Sequence, residues 1–106
     1  MKSEIVMAYC TFPDLECAER ICRELLERKL IACANIQSPN VALYRWQGSV
    51  QKETEVSAWL KTSAACQEPL KNIFDDLHPY DVPCLVFATL LDSLPEYKKW
   101  VLNELQ

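Results

Sequence analysis

One histidine and six cysteines are the side chains of this 106-residue chain best suited to chemistry. His78 opens the run His78-Pro79-Tyr80-Asp81-Val82-Pro83. The two prolines fix their own φ and push the residues before them toward extended backbone, so the run reads as a stiff loop. Histidine binds metal or moves a proton near neutral pH. Cys10 and Cys84 stand at the expected end of the first strand and start of the last. A Cys/His set is soft and suits Cu(I) or Zn(II) better than magnesium or calcium. Cys10, His78 and Cys84 are therefore the candidate metal ligands. Two other readings use the same residues. In one, His78 caps the second helix, its cation meeting the negative end of the dipole. In the other, Cys10 or Cys84 pairs with His78 as an activated thiolate. That enzymatic reading lacks a third, orienting residue and an oxyanion loop.

A second candidate is the pair Glu53 and Glu55, two residues apart on an expected strand and so on one face. With Lys61 they would line a polar cleft between subunits; the alternative is a solvated face of cross-strand ion pairs. The aromatics Tyr44, Trp46, Trp59, Tyr80, Tyr97 and Trp100 read as packing and interface residues rather than a ligand cage. No basic or glycine-rich phosphate cradle is present.

Composition narrows the classes. Half the residues are hydrophobic, enough for the core of one domain spanning residues 1–106. The formal net charge is −4, which argues against a nucleic-acid partner. The opening Met1-Lys2-Ser3-Glu4 leads into an apolar run too short for a signal-peptide core. No stretch approaches a membrane span of about 18 apolar residues. The expectation is a cytoplasmic chain, with its cysteines reduced rather than bridged. Cys17, Cys22 and Cys33 read as small buried hydrophobes.

These side chains must be positioned by six main elements. Residues 5–10 alternate as a strand that is apolar on both faces. Thr11 reads as the cap of a one-sided helix running to about Lys29, with Pro13 in its first turn and Asp14 favoured there by the dipole. A second strand starts at Leu30, breaks at Ser38-Pro39-Asn40, and resumes over Val41 to Trp46. Gly48, the lone glycine, marks a hairpin turn needing positive φ. The return strand covers Val50 to Thr62. Ser63 is the expected cap of a second helix, regular from near Pro69. The histidine loop and a strand from Leu85 to Leu91 follow, then a helix from about Pro95. The order β-α-β-β-α-β predicts an α+β, ferredoxin-like sandwich with an extra C-terminal helix. The helices cover one face of such a sheet, yet the first and last strands are apolar on both. The open face should then be covered by another copy, or by the 41–60 hairpin of a neighbour, rather than by the last helix alone.

The chain also resembles the CutA family of divalent-cation tolerance proteins. The resemblance rests on Leu30-Ile31-Ala32-Cys33-Ala34-Asn35-Ile36, on Tyr44-Arg45-Trp46-Gln47-Gly48, and on Glu53/Glu55 leading to Lys61-Thr62. It rests also on the loop from His78 to Pro83 and on Tyr97 with Trp100. It spans Cys10 to Trp100. The resemblance implies a tight homotrimer similar to the PII signalling proteins, and an association with copper and other divalent cations. It implies a non-enzymatic protein, binding metal weakly or acting as a signalling-type scaffold for an unknown protein partner. A purely structural interaction module is the remaining alternative. The chain departs from the family pattern at Cys84, where a glutamate is usual, and at Ala42, where a serine is usual.

Overall fold

The computed structural model describes residues 5–106. Met1–Glu4, read above as no targeting segment, lie outside the described residues. The elements are β1 (Ile5–Phe12), α1 (Leu15–Glu27), β2 (Cys33–Trp46), β3 (Ser49–Ser63), α2 (Gln67–Leu77), β4 (Leu85–Thr89) and α3 (Pro95–Asn103). The strands form one sheet in the order β2-β3-β1-β4, each neighbouring pair antiparallel. This is the expected ferredoxin-like arrangement with its extra helix.

Local chemistry accounts for most boundaries. Thr11, the expected cap, stays in β1; Asp14 caps α1 instead, its carboxylate accepting the Cys17 N–H at 2.8 Å. The helix ends in a Schellman motif: Leu30 N–H reaches Leu25 O and Lys29 N–H reaches Leu26 O, both at 3.0 Å. Lys29 takes the left-handed conformation this requires, with φ of 59°. The turn delays the second strand from Leu30 to Cys33. Ser63 makes no cap bond; a single 3-10 turn, Ala64–Cys66, separates β3 from α2. Gly48, at φ +86°, follows Gln47 at φ 49°. Two positive φ values between paired Trp46 and Ser49 make the tight hairpin expected of the lone glycine.

The core lies between the two long helices and one sheet face. Ala8, Cys10 and Phe12 of β1 and Val56, Ala58 and Leu60 of β3 meet Ala18, Ile21, Cys22 and Leu25 of α1 and Leu70 and Phe74 of α2. Leu15 and Leu26, which share the apolar spacing of α1, sit at its exposed fringe. On the opposite face α3 covers one end, where Val101 packs with Ile5 and Ala32. Tyr9 and Trp59, paired across strands, meet there with ring centroids 4.9 Å apart and planes tilted by 58°. Val86 and Trp100 remain exposed, so α3 alone does not cover this face.

A bulge in β2 decides what the far half of the sheet presents. Gln37 pairs with Ser57, but Asn40 pairs with Glu55, so β2 carries one extra residue. Ala34 and Ile36 face the core before it. After it the parity flips, and Ala42, Tyr44 and Trp46 join Glu53 and Glu55 on the other face. Beyond Val56 the β2–β3 hairpin has no third strand and projects as a two-stranded ribbon. No helix among the described residues is long and apolar enough to cross a membrane.

Candidate functional site

His78 sits where α2 ends, its backbone N–H donating to Phe74 O at 3.0 Å. Pro79 holds it in extended backbone, so the chain turns away from the helix. The ring is buried and stacks on Phe12, with centroids 5.3 Å apart, and contacts Phe74 and Tyr80. Its Nδ1 accepts the Tyr80 N–H at 3.2 Å, and a backbone N–H only donates. Its Nε2 lies 2.8 Å from Thr11 O, which only accepts. The two partners therefore assign a neutral ring with its proton on Nε2.

Burial pushes the His78 pKa below the ordinary value, outweighing the Thr11 carbonyl and the Glu55 and Asp75 carboxylates, which act the other way. The helix-capping reading placed the residue correctly but not its charge. Desolvation wins over the dipole, and the ring is a neutral latch. In the unfolded chain it takes a proton at the usual 6.5. The unfolded state thus binds more protons as pH falls through 6.5, and stability falls until the folded ring protonates as well. The urea midpoint should drop between about pH 7.5 and 5.5. His78→Gln, which cannot titrate, should remove that part of the slope; an unchanged slope refutes the assignment.

The cysteines do not complete a ligand set with it. β1 continues two residues past Cys10, which pairs with Leu85, so Cys10 lies inside the sheet rather than at its end. Its side chain is fully buried, the thiol 3.7 Å from Ala58 O. Burial, then Cys22 and Cys84, push its pKa far up. Cys84 is half-buried, and burial followed by Glu55 raises its pKa too. Both His78 nitrogens are held by backbone. Cys10, His78 and Cys84 therefore do not converge, and no group of three or more His, Cys, Asp or Glu among the described residues could hold a metal ion. The raised pKa values of Cys10 and Cys84 also run opposite to those of activated cysteines.

What the loop does build is a cavity of about 510 Å³. From the loop come Tyr80, Asp81 and Val82, with Cys84 just beyond; from β1, Thr11; from the ribbon, Ala42, Tyr44, Trp46, Glu53 and Glu55. Glu53 and Glu55 share this wall, as their spacing requires. Lys61, expected beside them, lies elsewhere on β3 and bonds Asn35. Glu55 is 8% exposed and accepts the Tyr80 hydroxyl at 2.7 Å. Burial and that carboxylate push the Tyr80 phenol well up. Glu53 does the same to Tyr44 by hydrogen bonding. The wall thus carries three carboxylates and three aromatic rings, with no Lys, Arg or His.

The sequence marks Tyr44, Trp46 and Tyr80 as packing and interface residues and does not single out Asp81. The missed signal was the break at Pro39. A one-residue bulge there reverses the alternation and sends both ribbon aromatics to the glutamate face. The two departures from the family pattern, Ala42 and Cys84, also meet in this cavity.

Residues 6–104 match the family described as CutA1 divalent ion tolerance protein. The chain is 41% identical over 100 residues to the divalent-cation tolerance protein CutA of Pyrococcus horikoshii, covering 94% of this chain and 97% of that one. It is similar to the crystal structure of CutA1 from Oryza sativa, with a TM-score of 0.94 at 27% identity, covering 97% and 94% of the two chains. A crystal structure of a CutA1 variant from P. horikoshii superposes with a TM-score of 0.92 at 42% identity, over 95% and 98%. With sheet order, loop and cavity all in place, the match over nearly the whole chain means that this protein belongs to the CutA1 family.

Proposed function

We propose that the protein acts in divalent-cation tolerance as a non-enzymatic homotrimer that meets cations weakly at the cavity beside the histidine loop. The observation that carries this is the wall itself: Glu53, Glu55 and Asp81 face one space with no basic side chain among them. Family membership and the names of its relatives support the cation-tolerance role. No three of these groups close into a ligand set, so a divalent ion would be held weakly, by one or two carboxylates and its own waters, with Cys84 at the same wall a soft donor for copper. Six free thiols suit a reducing compartment such as the cytoplasm.

Physical arguments support the trimer. A two-stranded ribbon is marginal in water by itself. This one exposes Val41, Leu43 and Val50 on the side away from the cavity wall, and the open sheet face exposes Val86. A neighbour that buries these would stabilise both. Light scattering should give three times the 12.2 kDa subunit mass; a monomer mass overturns the trimer. Calorimetric titration with Cu(II), Zn(II) and Mn(II) should show weak binding that drops in Glu53→Gln. Binding untouched by Glu53→Gln and lost in Cys84→Ala would move the site to the thiol. Absence of metal binding at millimolar concentration would sink the metal part of the reading.

A further inference from the structure

We propose that the natural occupant of this cavity is a small organic cation, an aliphatic amine carrying one or two ammonium groups. The proposal rests on the reading of this cavity as a cation site, but not on the cation being a metal.

The first argument is Glu55. The residue is more than nine-tenths buried, and its one hydrogen-bond partner among the described residues is the neutral phenol of Tyr80, on Oε2. Its second oxygen accepts no bond from a described side chain. It is not a fully enclosed atom without a partner, so it keeps some exposure, and Glu55 lines the cavity. The ion pairs among the described residues, Arg28 with Glu24 and Lys71 with Glu68, lie elsewhere on exposed helix surface. A buried carboxylate without a cation is costly, and a positive ligand removes the cost.

The second argument is size and shape. A bare divalent ion needs several oxygens converging within about 2.0–2.6 Å of one point. The acidic groups here do not converge so closely. A cavity of about 510 Å³ lies instead within the range of small-molecule sites.

The third argument is the aromatic wall. Tyr44, Trp46 and Tyr80 line the same cavity as the carboxylates. Aromatic faces attract ammonium groups and also pack against methylene chains, and Val82 and Ala42 add apolar surface. A strongly hydrated metal ion gains little from such walls, whereas an alkylammonium uses both parts. Glu53 and Glu55 are two residues apart on one strand face, about 6.6 Å along the strand. That spacing suits two ammonium groups on a short chain.

The test is calorimetric titration of the intact protein with 1,4-diaminobutane, with tetramethylammonium and with the neutral 1,4-butanediol. Diaminobutane should saturate at one per subunit and weaken with added salt, and butanediol should not bind. Glu55→Gln keeps an acceptor for Tyr80 but removes the charge, and should weaken diamine binding by about tenfold or more. Should that variant fail to fold, Glu53→Gln, at an exposed position, should still weaken it several-fold. Trp46→Ala should weaken tetramethylammonium at least as much as it weakens the diamine. No diamine binding at millimolar concentration overturns the proposal, as does binding unchanged in both glutamine variants. A basic side chain of a neighbouring copy in the cavity would give the first of these results. Metal binding without amine binding would sink this inference and leave the metal reading standing; amine without metal would do the reverse.

Discussion

Replacing Phe12 by alanine is expected to destabilise the fold by about 3–5 kcal/mol. Phe12 is fully buried at the end of β1. Its ring lies 5.9 Å from that of Phe74 and stacks on His78 at 21°. The substitution opens a cavity where β1, α2 and the histidine loop meet, so it costs both transfer energy and lost contacts. It also loosens the residue next to Thr11, whose carbonyl holds His78. Urea denaturation should show a large drop in midpoint. The slope of His78-dependent stability with pH should shrink as well, because the ring becomes better hydrated. Leu15→Ala, at a half-exposed helix position, should change stability by about 0.5 kcal/mol or less. Similar losses for the two variants would mean that Phe12 does not anchor the core.

Tyr80→Phe should cost about 1.5–3 kcal/mol, far more than the loss of one hydroxyl at a surface would. The phenol supplies the hydrogen bond that Glu55 receives in its buried position. Without it a carboxylate stays desolvated with no donor among the described residues. The ring of Phe still packs on His78, so the loss reports the hydrogen bond rather than the aromatic contact. A double-mutant cycle separates the two. In a Glu55→Ala background, Tyr80→Phe should cost only a small fraction of its effect in the parent. Equal costs in both backgrounds would show that the pair is not coupled.

Much of the framework was legible from residue types. Helical spacing in α1, the apolar alternation of β1, the lone glycine and the prolines each act within a few residues. They marked elements whose order leaves one antiparallel sheet topology as the natural solution. The boundaries that slipped were set by longer contacts. Thr11 stayed in β1 because that strand continues pairing with β3 through Phe12. Leu30 was held out of β2 by the Schellman turn and by Thr62, whose hydroxyl bonds Leu30 O at 2.6 Å.

The candidate site divides along the same line. The spacing of Glu53 and Glu55 put them on one face without any structure, because side chains alternate along a strand. The stiffness of the His78–Pro83 loop followed from its prolines in the same way. Tertiary structure alone decided that Tyr44 and Trp46 join those glutamates, since a bulge is defined by the pairing of β2 with β3. It also decided that His78 is a neutral latch rather than a ligand, and that Cys10 is core. Charge state and coordination depend on desolvation and on partners far away in the chain, such as Thr11 for His78 and Tyr80 for Glu55. Local propensity carries no information about either.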